Sequence, residues 1–184
     1  MPPVARFLLA CVLACSAVVA LPARAEPPAV GEVPPDELGN DPSGNPVRIS
    51  DYRGRVVVMT FWASWCGPCL RELPILESLQ KVAGRERVMV IGINWKEDRS
   101  RFREIVRRLK NLQLTLTHDP RGVVGELYEV KAIPRMFIID RDGRIAYAHV
   151  GYDPENSVQM IVSEVNELLQ RPSAAPETAA APAT

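Results

Sequence analysis

Two cysteines, Cys66 and Cys69, sit in the stretch Trp65-Cys66-Gly67-Pro68-Cys69. Their spacing is slightly less than one helical turn. It places both sulfurs on one face and within the Cα separation of about 4.4–6.8 Å that a disulfide accepts. The pair follows an apolar run, Val56 to Trp62, and precedes a helical pattern, Leu70 to Val82. The first N–H groups of a helix have no partner within it and carry a partial positive charge. A thiolate held there has its pKa pulled below the free value of about 8.5. Cys66, nearer the helix tip, is therefore expected to be exposed and nucleophilic. Cys69, one turn in, is expected to be buried and to resolve a mixed disulfide. Pro68 suits the first turn, where its missing N–H costs nothing. The competing chemistry is half of a zinc site, which needs two further ligands. Outside the N-terminal apolar stretch only His118 and His149 remain, far apart in sequence. No metal and no cofactor are expected, and both histidines read as structural.

The elements that must hold such a pair follow from the pattern. Val56 to Phe61 lacks polar alternation and reads as a central strand covered on both faces. From Cys69, apolar residues recur at Leu73, Leu76, Leu79 and Val82, which predicts a helix with one buried face and with Pro74 inside it. Val88 to Ile93 is a second buried strand. Asp98 or Ser100 caps a helix whose inner face is Phe102, Ile105, Val106 and Leu109. Leu114 to Thr117 is a short strand. Asp119-Pro120-Arg121-Gly122 turns into a helical turn or two ending at Tyr128. Met136 to Asp140 is a third main strand, Arg141-Asp142-Gly143-Arg144 is a hairpin turn, and Ile145 to Val150 returns antiparallel. Asp153-Pro154 starts a last helix, with Val158, Ile161, Val162, Val165 and Leu168 inward. The order predicts an α/β fold: a central mixed sheet flanked by helices, its parallel core ending in an antiparallel hairpin.

The chain has 184 residues and no net formal charge, enough for one domain with trimmings. Zero net charge gives no global case for nucleic acid or a membrane surface. Residues 1–25 read as a secretory signal: Arg6, an apolar run from Phe7 to Leu21, then the small-residue site Ala23-Arg24-Ala25. Two other fates stand beside cleavage near Ala25. Val12-Leu13-Ala14-Cys15 resembles a lipoprotein box, which would acylate Cys15, and an uncleaved run would serve as an anchor. Cys11 and Cys15 otherwise read as small apolar residues of a removed segment. Residues 26–46 read as an irregular lead-in with at most a short edge strand, Pro46 to Ser50 as able to pair weakly with a neighbour, and 47–170 as the folded domain. Residues 171–184 are a Pro/Ala-rich tail expected to be disordered. In an oxidising compartment the dithiol would need an outside source of electrons.

Phe61-Trp62-Ala63-Ser64-Trp65-Cys66-Gly67-Pro68-Cys69, with Pro74 downstream and Ile133-Pro134 before a strand, resembles thioredoxin. The resemblance is closer to the exported TlpA/ResA-type thiol:disulfide reductases. Like them, the chain has a signal, a lead-in containing Gly44, Val47, Ile49 and Tyr52-Arg53-Gly54, and a helix–strand insertion over Asp98 to Thr117. The likeness spans roughly residues 30–169. It implies a thioredoxin-like fold with an N-terminal extension, a cis bond before Pro134, and an Ile133 backbone turned toward a substrate chain. It also points to Glu72, because the family often carries Cys-x-x-Cys-x-x-Glu. Glu72 then either takes the proton of Cys69 or is a surface acid favouring the helix N-terminus. Thr60 stands where thioredoxin has a buried Asp. Arg135 stands where the family usually has Thr, and it either acts on Cys66 and acidic partners or points to solvent.

The expected redox set is thus Cys66, Cys69 and Glu72. The expected substrate-facing set is Trp65, Gly67, Pro68, Ile133, Pro134 and Arg135, with Trp62 in the core. The implied activity is reduction of disulfides in exported proteins, such as apocytochrome c or copper-site cysteines, by a monomer fed by a membrane electron donor. Other readings of the pair are a Cu(I) delivery site, a peroxidase and a disulfide oxidase. The helix over 99–110 carries six cations against Glu104, read as a solvated or a docking face.

Overall fold

The computed structural model describes residues 28–172. The proposed signal over 1–25, with Cys11 and Cys15, and the tail beyond Pro172 lie outside the described residues.

The strands are β1 (Glu37–Asn40), β2 (Pro46–Arg48), β3 (Val56–Trp62), β4 (Val88–Trp95), β5 (Thr115–Asp119), β6 (Arg135–Ile139) and β7 (Ile145–Val150). The helices are α1 (Gly67–Ala83), α2 (Arg99–Arg108), α3 (Val123–Leu127) and α4 (Ser157–Gln170), with one 3-10 turn over Ile49–Tyr52. Among the described residues the strands form one sheet in the order β2-β1-β5-β4-β3-β6-β7. The parallel core is β5-β4-β3. The β6–β7 hairpin joins β3 antiparallel, as its Asp-Gly turn suggested.

Every residue of β3 is buried, as expected of a central strand covered on both faces. Val57, Met59 and Phe61 point into one cluster with Leu38, Ile91, Tyr128 and Phe137. Val56 and Val58 point the other way, onto Leu76, Ile161, Val165 and Leu168 of α1 and α4. Thr60 belongs to this second face, which matters for the site.

Four expectations are corrected. Residues 37–40 are not an irregular lead-in but a strand lying inside the sheet, between β2 and β5. The boundary at residue 47 therefore cuts the folded domain. Val82 is not inward: it is 90% exposed. From Leu73 it is nine positions along the helix, which at 100° each amounts to a rotation of about 180°. The buried line after the glutamate is instead Leu73, Leu76 and Gln80. Gln80 is tied to the sheet, donating to the Gln113 carbonyl and accepting from Val90 N–H, each at 2.8 Å. Val162 sits 100° off the Ile161–Val165–Leu168 line and is exposed. Asp153-Pro154 does not start α4. It forms a turn held by Asp153, which accepts from Glu155 N–H and from Asn156 Nδ2, and the helix begins at Ser157. Asp98 does cap α2, accepting from Arg101 N–H at 2.9 Å.

Candidate active site

The turn from β3 to α1 carries the two cysteines. Cys66 is the N-cap of α1. Its N–H donates to the Ala63 carbonyl at 3.1 Å, closing the turn, and its sulfur accepts from Cys69 N–H at 3.2 Å. One of the helix's orphan donors is thus aimed at the Cys66 sulfur, the contact that favours a thiolate. Cys66 and Cys69 form a disulfide with Cα atoms 5.3 Å apart. Gly67 and Pro68 occupy the first turn of α1, as the missing proline N–H requires.

Cys69 is 0% exposed and Cys66 5%. The order matches expectation; the openness of Cys66 does not. The reason lies across the turn. The Ile133–Pro134 bond is cis, Pro134 is buried, and the Ile133 carbonyl oxygen lies 3.8 Å from Cys66 Sγ. Ile133 packs into the same apolar cluster as both cysteines. Trp65, beside Cys66, is 66% exposed, while Trp62 is fully buried.

Glu72 follows Cys69 by three positions and so lies on the same side of α1. It is 2% exposed. The reading of it as a surface acid is therefore corrected. Its Oε2 accepts from Thr60 Oγ1 at 2.8 Å, and among the described residues it has no ion pair. Burial without a counter-charge pushes its pKa from 4.5 up to about 7, and the Thr60 hydrogen bond pulls partly back. A carboxyl poised near neutrality behind a buried cysteine can accept and return a proton.

Arg135 is half-buried and not simply directed to solvent. Its guanidinium lies over the Phe137 ring, 4.5 Å from the centroid, and burial lowers its pKa. Residues two apart on a strand share a face. Phe137 packs with Val57, Met59 and Phe61, so Arg135 lies on the sheet face opposite α1.

The sequence reading missed Glu97. This largely buried carboxylate accepts from Ser64 N–H at 2.7 Å, from Ser64 Oγ, and from Asn94 Nδ2 at 2.7 Å. It therefore pins the turn that presents Trp65 and Cys66. No motif signals it. It sits between the end of β4 and the Asp98 cap, where an acid is ordinarily read as support for the helix dipole. The histidines are held in the fold. His118 Nε2 lies 2.8 Å from the Glu97 carbonyl and its ring stacks on Phe102, while His149 Nε2 lies 2.8 Å from a Glu164 oxygen.

Residues 29–169 match the Redoxin family. The thiol-disulfide oxidoreductase ResA of Geobacillus kaustophilus is 32% identical over 117 residues, 64% of this chain and 67% of that protein. The thiol:disulfide interchange protein DsbE of Xylella fastidiosa is 31% identical over 146 residues, 79% of this chain and 72% of that protein. Among solved structures, the exposed thioredoxin lipoprotein of Streptococcus pneumoniae superposes with a TM-score of 0.57 at 30% identity, covering 70% of this chain and 97% of its own. A secreted disulfide oxidoreductase of Mycobacterium tuberculosis, homologous to DsbE, gives a TM-score of 0.60 at 25% identity, covering 71% and 94%.

Proposed function

Because the chain belongs to the Redoxin family, as a thioredoxin-fold thiol:disulfide oxidoreductase of the TlpA/ResA type, we propose that it works as a reductase of disulfides in exported proteins. The observation that carries this is the Cys66–Cys69 pair at the N-cap of α1, set against the Ile133 carbonyl with Glu72 buried behind it. In the reduced protein, the Cys66 thiolate attacks one sulfur of a target disulfide. That S–S bond breaks, a mixed disulfide forms, and the target's leaving sulfur takes up a proton. Cys69 then gives its proton to Glu72 and attacks Cys66 Sγ. The mixed disulfide breaks, the second target thiol leaves, and the Cys66–Cys69 disulfide remains, two electrons having passed to the target. Trp65, Gly67, Pro68 and the Ile133-Pro134 backbone form the edge on which an extended target segment lies, by strand addition.

Reduction rather than oxidation is favoured by the Gly67-Pro68 dipeptide, shared with reducing thioredoxins. Export is favoured by the secretory pattern of residues 1–25 and by the secreted relative from Mycobacterium tuberculosis. In that setting a membrane protein supplies the electrons, and apocytochrome c or copper-site cysteines are the substrates. The test is trapping. Cys69→Ser, reduced and mixed with extracts of exported proteins, should hold targets as mixed disulfides that dithiothreitol releases, and Cys66→Ser should hold none. A glutathione equilibrium placing the pair near thioredoxin's potential of about −270 mV supports the direction; a value near −120 mV would reverse it.

A further inference from the structure

The helix that separates this chain from a minimal thioredoxin is built against the redox centre. Phe102 and Ile105 of α2 lie in one apolar cluster with Cys66, Cys69 and Leu73, and Val106 and Leu109 pack on it. The same helix reaches the active-site turn directly, Arg101 Nε donating to Ser64 Oγ at 2.9 Å. Its other face is cationic: Arg99, Arg101, Arg103, Arg107 and Arg108 are all exposed, as is Lys110 just past its end. The single acid of α2, Glu104, is shared between Arg101 and Arg108. Arg99, Arg103, Arg107 and Lys110 make no ion pair among the described residues. The whole chain balances 22 cations with 22 acids. The excess on α2 is therefore local to a helix that packs on the dithiol: Arg101 reaches the active-site turn, while Arg99 and Arg103 line a groove with Asp41 and His118 on the β1 side. Arg71, exposed on the first turns of α1, adds a cation at the dithiol itself: a Cβ on Gly67 would stand 3.6 Å from its Nη1.

We propose that the outer face of α2 is a docking surface for an acidic protein segment, which brings that partner's disulfide to Cys66. This rests on the reading of the pair as a reductant of protein disulfides. The physical reason is steering. One exposed charge pair contributes little in water. A row of like charges beside the site, however, raises encounter rates by roughly 10–10³, with a steep dependence on salt. Trp65, exposed beside Cys66, supplies the short-range contact once the partner arrives.

The experiment compares pre-reduced wild type with an Arg103→Glu/Arg107→Glu double variant in single turnover. The substrates are neutral bis(2-hydroxyethyl) disulfide and two disulfide-looped peptides of one loop sequence, flanked by aspartates or by lysines. Both proteins should reduce the neutral disulfide with the same second-order rate constant. Wild type should favour the aspartate peptide about tenfold or more at low salt, and lose most of that preference toward 1 M salt, where the screening length falls to about 3 Å. The double variant should favour the lysine peptide. A wild type with no preference, or a variant that keeps it, overturns the proposal. So does salt-sensitive binding of wild type, but not of the variant, to phosphatidylglycerol vesicles without any peptide preference, which would make the face a membrane contact. If neither protein reduces the neutral disulfide, the reductase reading itself fails. Docking is then judged by calorimetric binding of the same peptides, with the same expectations.

Discussion

A carboxyl buried without a cation costs stability wherever it is ionised, and Glu72 is such a group. Its native pKa, about 7, lies above its ordinary value of 4.5, so the folded state binds its proton more tightly than the unfolded state. Stability is therefore full below about pH 4.5, falls as pH rises toward 7, and stays lowered above that. The shift corresponds to roughly 3 kcal/mol. Glu72→Gln should thus gain about 1–3 kcal/mol over wild type at pH 8 and show little difference at pH 4, measured by urea denaturation of the oxidised proteins. A gain equal at both values of pH would show that charge is not its source. The same substitution should slow the release of a mixed disulfide by Cys69 and remove the inflection near pH 7 from that step. Thr60→Val removes the hydrogen bond that lowers this pKa, so it should move the inflection upward. At this scale the sequence told much about the sulfurs, because helix geometry ties spacing to chemistry. It told little about Glu97 or Arg135. Ser64 and Asn94, the partners of Glu97, come from other elements; Phe137 shares a face of β6 with Arg135, but nothing in the pattern said which side of the sheet that face would turn to.

Whether an element is legible depended on whether its side chains carry its period. β3 and β4 consist almost wholly of buried apolar residues and read directly. Helix α1 was legible in its existence but not in its inner line, because steps of three fall behind a turn of 3.6 residues. The consequence is measurable. Val82→Lys, on the exposed side, should change stability by no more than about 0.5 kcal/mol. Leu76→Ala, fully buried between α1 and the sheet, should cost about 2–5 kcal/mol. Equal costs would mean that Val82 is covered in solution. β1 was illegible for a different reason. Its four residues, Glu-Leu-Gly-Asn, contain one apolar side chain. Gly39 is there because the β5 backbone comes too close for anything larger: a Cβ would stand 2.8 Å from the His118 carbonyl oxygen, and its φ is +84°. A strand whose identity depends on close backbone approach leaves no alternation to read.

For the whole molecule, the lead-in is part of the structure that holds the redox turn. Leu38 is fully buried in the main cluster with Phe61 and Tyr128. The Pro35 carbonyl accepts from Tyr128 Oη at 2.6 Å, and the Leu38 carbonyl accepts from Thr117 Oγ1. Asp36 accepts from both the N–H and the hydroxyl of Ser50 at 2.8 Å. On the far side of the sheet, Gly31 and Glu32 exchange backbone hydrogen bonds with Ile145. A chain starting at Val47 would therefore lose a buried leucine, worth about 2–5 kcal/mol. It would also strand the hydroxyls of Thr117 and Tyr128, both buried residues, at about 1–3 kcal/mol each, and open the edge of β5 to other chains. Against a chain starting at Ala29, it should lose more than about 4 kcal/mol in urea denaturation or fail to remain soluble. Denaturation midpoints that agree would mean that residues 29–46 are an appendage, with the fold complete without them. A loss of stability with unchanged alkylation of Cys66 at low temperature would separate support of the sheet from support of the site, since β1 reaches the dithiol through intervening elements: β5, β4 and β3 in the sheet, and α2, whose Phe102 packs with the cysteines and stacks on His118.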